Sequence, residues 1–202
     1  MIRYQKNPVS RKSKLVITVD GREYAAKYIG KGQYSRVYRV GDRVVYYTRG
    51  DCGKEVLAQF QYNRMAHLPE LIRHENITTA RGRWFVFSSP YYRDVRSSDA
   101  SAWNLMKEII RAYTNYTHRQ DYLERVGFVR NGEIHYMQGF VNYIMWSREQ
   151  KYIPRSVVKA LQEIVNVASN CGDNVGFDLH KKNFGVNEYG TLIFRDPIYV
   201  RE

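Results

Sequence analysis

The sequence predicts an α+β protein: an N-terminal antiparallel sheet carrying one helix, followed by a mainly helical C-terminal half. Three observations carry that prediction. Segments rich in β-branched and aromatic residues alternate with glycine-containing turns from Leu15 to Phe87. After Ser88-Ser89-Pro90, apolar residues recur at helical spacing. Near the end, Phe184 to Phe194 reads as a small hairpin closed at Asn187 to Gly190.

Residues 1–14 carry Arg3, Lys6, Arg11, Lys12 and Lys14 with no acid, and Pro8 disfavours regular structure, so this segment reads as a basic arm. Leu15 to Val19 and Glu23 to Ile29 flank Asp20-Gly21, a dipeptide that tolerates the positive φ of a tight hairpin. A glycine-containing turn from Gly30 to Gln33 leads into Ser35 to Val40, and Gly41-Asp42 turns the chain into Arg43 to Tyr47. Lys54 to about Met65 is helical in pattern, with Val56, Phe60 and Met65 on an apolar side. Strands are then expected over Ile77 to Ala80 and Trp84 to Phe87, joined through Arg81-Gly82-Arg83. Asp99 to about Tyr116 places Ala102, Leu105, Ile109 and Ala112 on one stripe. Arg155 to Asn170 does the same with Val158, Leu161, Val165 and Ala168, ended by Cys171-Gly172. Between these helices Thr117 to Ile153 is rich in tyrosine and shows no dominant period. The expected division is an arm over 1–14, an N-terminal lobe over 15–88 and a C-terminal lobe over 89–202.

A 202-residue chain with 44% hydrophobic, 14% aromatic and 26% charged residues is expected to bury a core rather than remain disordered. Against 20 acids stand 32 Lys and Arg, a net charge of +12, which points to nucleic acid, nucleotide phosphates or acidic proteins. No apolar run is long enough to span a bilayer and residues 1–14 lack the core of a secretory signal, so no membrane partner is expected. Cys52 and Cys171 show no C-x-x-C spacing, so neither a disulfide framework nor a zinc site is indicated, and the cytoplasm is the expected compartment. His67, His74, His118 and His135 lack ligand spacing and read as surface or structural. Tyr46-Tyr47 and Tyr91-Tyr92 beside so many cations could stack on bases, although strand and core use ranks ahead of that, so nucleic acid is not the favoured partner.

Two motifs carry chemistry. Gly30-Lys31-Gly32-Gln33-Tyr34-Ser35-Arg36-Val37-Tyr38 lies between expected strands, where missing side chains let backbone amides approach phosphate oxygens. No helix follows it, which excludes the dinucleotide fingerprint, and no Gly-Lys-Ser/Thr marks a P-loop. By itself it also fits an ordinary hairpin. The second motif is Asp178-Leu179-His180-Lys181-Lys182-Asn183 with Asp196-Pro197 beyond the hairpin. Phosphoryl transfer needs a carboxylate near the attacking hydroxyl, plus an amide oxygen and a second carboxylate to hold Mg²⁺. Asp and Asn satisfying loop amides are the plainer alternative. The two motifs in this order, across a β-rich and then a helical half, favour a nucleotide site.

On these residues the sequence resembles the protein-kinase-like superfamily. Gly30-x-Gly32-x-Tyr34-Ser35-x-Val37 is similar to its glycine-rich loop, with Ser35 in place of the third glycine. Asp178-Leu179-His180-x-x-Asn183 resembles its catalytic loop, and Asp196-Pro197 stands where its metal-binding Asp-Phe-Gly would be. Phe177-Asp178-Leu179-His180 together with Phe194-Arg195-Asp196-Pro197 is most similar to the early serine/threonine protein kinases of T7-like bacteriophages.

The resemblance implies a two-lobed kinase-like fold with a truncated C-terminal lobe, binding ATP and Mg²⁺ and transferring the γ-phosphate to serine or threonine of host proteins. Asp178 would orient the hydroxyl, Asn183 and Asp196 would hold Mg²⁺, Gly30, Gly32 and Ser35 would cover the phosphates, and Val37 would pack on adenine. Ser88 to Tyr92 would be an interlobe hinge offering backbone hydrogen bonds to the base. Glu55 would orient a phosphate-binding lysine, unless it is simply an acid favoured at a helix start. That lysine is missing from the expected strand, where Tyr46 stands in its place. Arg39 and Lys27 have strand parity that could bring a cation in, although both also read as exposed strand cations. A catalytically inactive kinase-like binder of a host enzyme is the rival expectation.

Overall fold

Antiparallel strands and the turn at Gly41-Asp42 organise the first half as expected. The computed structural model describes residues 3–4, 15–19, 22–31, 35–60, 65–74, 76–79, 82–125, 132–146, 151–172 and 174–200. An antiparallel sheet is built from β1 (Arg3–Tyr4), β2 (Leu15–Val19), β3 (Arg22–Lys31), β4 (Ser35–Val40), β5 (Arg43–Thr48), β6 (Ile72–Arg73), β7 (Ile77–Thr79) and β8 (Gly82–Pro90). The spatial order is β1-β2-β3-β4-β5-β8-β6, with β7 on β8. One helix, α1 (Cys52–Ala58), follows β5.

Several elements differ from expectation. Arg3–Tyr4 is not structureless: it pairs with Ile17 and Thr18. The turns at Asp20-Gly21 and at Gly32 to Tyr34 lie outside the described residues. Gly30 and Lys31 belong to β3, and a register shift between Tyr28 and Gly30 marks a bulge there. Helix α1 stops at Ala58 rather than near Met65, although Phe60 is buried just beyond it. Ser88 to Pro90 is not a break between halves, because Val45 pairs with Ser88, Val44 with Ser89 and Arg43 with Pro90. Proline is tolerated there because its missing N–H falls on the last rung. The expected hinge thus begins as strand, and the Tyr91 N–H is committed to the Asp42 carbonyl at 2.7 Å.

One sheet face packs a core of Tyr38, Val40, Val45, Tyr47, Trp84 and Val86, with Tyr38 meeting Tyr47 edge to face at 5.7 Å.

The chain divides into two compact units, Met1–Tyr62 with Glu70–Tyr91, and Asn63–Pro69 with Tyr92–Glu202. The second unit holds α2 (Ala100–Arg125), α3 (Gly132–Trp146) and α4 (Arg155–Ala168). It also holds β9 (Val175–Phe177), β10 (Phe184–Val186), β11 (Leu192–Phe194) and β12 (Ile198–Val200). Helix α2 runs well past Tyr116, and α3 occupies the stretch where no period was visible. Its buried Tyr136, Met137, Phe140, Val141 and Ile144 recur at helical spacing. Aromatic contacts join the helices to β9, Phe140 lying 5.0 Å from Tyr113 and 5.9 Å from Phe177.

Neither cysteine is a free thiol. That corrects the reading drawn from spacing, which detects only ligand pairs close together in sequence. No described helix is long and apolar enough to cross a membrane.

Candidate functional site

The predicted catalytic residues sit in the second unit on a frame made of backbone hydrogen bonds. Strands β9 and β12 pair antiparallel, Phe177 opposite Ile198. Just past that rung the Asp178 N–H donates to the Pro197 carbonyl at 2.8 Å, so Asp178 and Asp196 flank the ends of neighbouring strands. Asn183 closes a 3₁₀ turn (Lys181–Asn183) and precedes the β10–β11 hairpin, in which Phe184 faces Phe194. Its carbonyl accepts from the Arg195 N–H at 2.8 Å and from the Asp196 N–H at 3.4 Å. Its side-chain Nδ2 donates to the Asp178 carbonyl at 2.9 Å. Ladder, hairpin and amide together bring Asp178, Asn183 and Asp196 to one place.

The hairpin tip explains why the return is so tight. Asn187 Oδ1 accepts from the Tyr189 and Thr191 N–H groups at 3.1 and 2.9 Å, and Gly190 takes a φ of 79° that suits glycine.

His180 braces the loop. Its Nδ1 accepts the Lys182 N–H at 3.2 Å, so the ring proton resides on Nε2, which faces Asp178 Oδ1 at 3.4 Å. Asp178 is partly exposed, with its side chain 39% accessible.

The donor chemistry fits Mg²⁺. Asn183 turns its nitrogen onto the Asp178 carbonyl, so its Oδ1 would be the atom to meet a cation, and Asp196 would add carboxylate oxygens; both are hard donors. Among the described residues no group of three or more His, Cys, Asp and Glu forms a metal cluster. Mg²⁺ commonly uses one or two protein oxygens completed by phosphate and water oxygens, so a two-ligand arrangement suffices.

Arg195, which sequence reasoning missed, and His67, which it read as surface or structural, hold this frame. Arg195 donates to the Tyr92 carbonyl at 3.1 Å and to the Lys182 carbonyl at 2.7 Å, and meets Asp94 at 2.9 Å. It therefore clamps the Asp178–Asn183 loop to residues 92–94. His67 is buried in a left-handed conformation, φ 72°, uncommon for a residue with a side chain. Its Nδ1 donates to the Leu192 carbonyl at 2.8 Å and its Nε2 accepts from the Ser156 hydroxyl at 3.0 Å. Its own carbonyl accepts the Phe194 N–H at 2.8 Å. Burial pushes the imidazole pKa below its usual value, outweighing the hydrogen bond to Leu192.

The residues predicted to meet phosphates lie in the first unit. Register puts Val37 opposite Tyr46 and Gly30, Ser35 opposite Thr48, and Arg39 opposite Lys27 and Val44, so all these share the sheet face opposite the Tyr38–Tyr47 core. Val37 and Tyr46 are half-buried, and no described residue comes within 4 Å of where a Gly30 Cβ would project. Gly32 lies outside the described residues. Arg39 and Lys27 are exposed; Arg39 bonds to the Gly41 carbonyl at 3.0 Å and stacks 4.0 Å from the centre of the Tyr91 ring. Glu55 pairs with Arg73 of β6 at 2.6 Å rather than with a lysine.

Around Tyr46 stands a group not singled out by the sequence. Lys54, in the first turn of α1, is buried with its side chain 5% exposed, its ammonium 5.1 Å from the centre of the Tyr46 ring and 3.0 Å from Asp51 Oδ2. Asp51 caps α1 by accepting the Lys54 N–H at 3.1 Å and also accepts the Ser35 hydroxyl at 3.0 Å. Burial alone would raise the Asp51 pKa, but the Lys54 ammonium and these donors hold it below the usual carboxylate value. The one sequence signal available was Asp51 and Lys54 three apart, directly after the strand that carries Tyr46.

A scan against family models gives no match, and a search of curated proteins gives none either.

Proposed function

We propose that the chain is a small ATP- and Mg²⁺-dependent serine/threonine protein kinase of the phage type, with a kinase-like fold, acting on host proteins in the host cytoplasm. The observation that carries this reading is the joining of Asp178, Asn183 and Asp196 by the β9–β12 ladder, the β10–β11 hairpin and the Asn183 amide. A loop satisfying only its own backbone would not need a second carboxylate, Asp196, returned beside Asp178 and Asn183 across a hairpin.

In this mechanism Asp178 accepts a hydrogen bond from the incoming hydroxyl and aligns it for in-line attack on the γ-phosphate. His180 Nε2–H steadies that carboxylate. Asn183 Oδ1 and the Asp196 carboxylate would hold Mg²⁺, which when bound offsets the charge of the phosphates. Arg195 keeps the loop in register through the Lys182 carbonyl.

The test is incubation with γ-labelled ATP, Mg²⁺ and host lysate. Labelled protein bands are expected with the wild type and not with Asp178→Ala or Asp196→Ala. Equal labelling by the wild type and Asp196→Ala refutes the role of Asp196. A second reading, an inactive kinase-like binder of a host enzyme, is favoured by Tyr46 in the lysine place and by Glu55 bound to Arg73. Nucleotide binding without any transfer would select it.

A further inference from the structure

Within the second unit, a partly exposed indole gathers lysines at the loop that carries Asp178. Trp103 lies on α2, and Lys107, one helical turn further on, has its ammonium 6.0 Å from the centre of the ring. Lys181 reaches the same ring from the Asp178–Asn183 loop, its ammonium 4.7 Å from the centre. Lys182 follows it and is also exposed. Its backbone is fixed in the turn, the N–H donating to His180 Nδ1 at 3.2 Å and the carbonyl accepting from Arg195 at 2.7 Å. Other cations of this unit have carboxylate partners: Arg93 has Asp99, Arg111 has Glu108 and Arg195 has Asp94. Among the described residues Lys107, Lys181 and Lys182 have no ion-pair partner. Like charges drawn to one ring repel each other, and an anion placed between them relieves that repulsion. The ring's π face already holds the ammonium groups in position, so less side-chain freedom is lost when an anion docks.

We propose that Lys107, Lys181 and Lys182, gathered at Trp103, bind a run of aspartate or glutamate in a partner protein, and that the hydroxyl presented to Asp178 belongs to such an acidic segment. Lys181 and Lys182 follow Asp178 by three and four positions on one loop, so carboxylates docked on them lie beside that hydroxyl. A face of the ring on which a nucleobase would stack is taken by Lys181, which favours carboxylates over bases as the anion. Ammonium groups are compact point charges, suited to separate carboxylates along an extended chain. The net charge of +12 draws an acidic partner in from a distance. Binding of the acidic segment stands on the second unit alone. The substrate role rests on the reading of the chain as a protein kinase and names the class of sequence it modifies.

The test measures fluorescence anisotropy of a labelled peptide with one serine flanked by glutamates, of the same peptide with alanines or lysines in their place, and of a single-stranded oligothymidylate of equal charge. The proteins are the wild type, the triple variant Lys107→Gln, Lys181→Gln and Lys182→Gln, and Lys159→Gln, which removes an exposed cation on α4. Three exposed ion pairs together correspond to roughly a tenfold effect in low salt. The wild type and Lys159→Gln are expected to prefer the glutamate peptide over the alanine peptide by that factor, and the triple variant to lose the preference. Equal affinity of the wild type for the two peptides, or a preference that survives in the triple variant, overturns the assignment. Tighter binding of the oligothymidylate that the triple variant loses assigns the lysines to nucleic acid and overturns it as well. If circular dichroism shows the triple variant unfolded, Lys181→Glu decides: its preference should move towards the lysine peptide, and an unmoved preference refutes the proposal. Transfer from γ-labelled ATP is scored separately. Equal kcat/KM for the glutamate and alanine peptides removes the substrate role and leaves the kinase reading standing. Glutamate preference in binding with no transfer to any peptide or lysate protein sinks the kinase reading and the substrate role, while the binding of acidic segments stands.

Discussion

Replacing Arg195 by Met keeps the aliphatic stem and deletes the guanidinium that joins the Asp178–Asn183 loop to residues 92–94. Three interactions go. The bond to the Tyr92 carbonyl is partly buried, that to the Lys182 carbonyl is exposed, and the Asp94 partner has an 83% exposed side chain. Hydrogen bonds from a charged donor contribute about 1.5–3 kcal/mol each, less where solvent competes. The exposed ion pair adds about 0.5 kcal/mol or less. Together the loss is about 2–3 kcal/mol. In a chain of this size each kcal/mol moves the melting temperature by about 2–4 °C, so the transition of the second unit is expected to fall by roughly 5–10 °C. Differential scanning calorimetry in low salt and in 1 M NaCl provides the assay. Most of the loss should persist in high salt, because it resides in short-range bonds to carbonyls. A shift below about 2 °C, or one abolished by salt, would mean that Arg195 is only a surface ion pair and that the clamp argument is wrong.

Three more outcomes follow from the same geometry. The folded pKa of His67 is lowered from 6.5, so the unfolded chain binds the extra proton first; stability is full above 6.5 and declines as pH falls below it. His67→Asn, which tolerates the left-handed backbone, should be less stable at pH 7 but lose that pH slope, and urea titrations with an unchanged slope would refute the assignment. Asp51 is lowered from 3.8, so its contribution is present above 3.8 and is lost as pH falls through the folded value. Asp51→Asn keeps a capping oxygen, and should flatten the acid limb of stability below pH 4 or so without unfolding α1 at pH 7. Removing the Asn187 oxygen with Asn187→Ala costs two backbone bonds at the hairpin tip, about 1–2 kcal/mol by denaturant midpoint, and no measurable change would remove it from the account.

The sheet was legible because its signals are local: the expected strands over Leu15 to Val19, Ser35 to Val40 and Arg43 to Tyr47 are found, and the last two flank the Gly41-Asp42 turn. The Asn187–Gly190 hairpin was legible for the same reason. Helix α3 was not. Its helical spacing is real, but Tyr143 and Trp146 outside the buried set blur the apolar contrast, and Trp146 is 87% exposed. At the candidate site, Asp178, Asn183 and Asp196 were singled out from residue types and order, and the β9–β12 ladder, the β10–β11 hairpin and the Asn183 amide gather them. Lys54 could not, since a lysine in a first helical turn ordinarily reads as solvated, and only the return of α1 over β5 reveals its burial. The same holds for His67, whose left-handed backbone and distant partners Leu192 and Ser156 exist only in the folded chain.

The account stands most directly on the magnesium dependence of nucleotide binding. Calorimetric titration of ATP into the wild type should give tight binding with Mg²⁺ and much weaker binding in EDTA, a difference that Asn183→Ala and Asp196→Ala each largely erase. Equal binding with and without Mg²⁺, or variants that keep the wild-type difference, would contradict the claim that these residues hold a metal against phosphates.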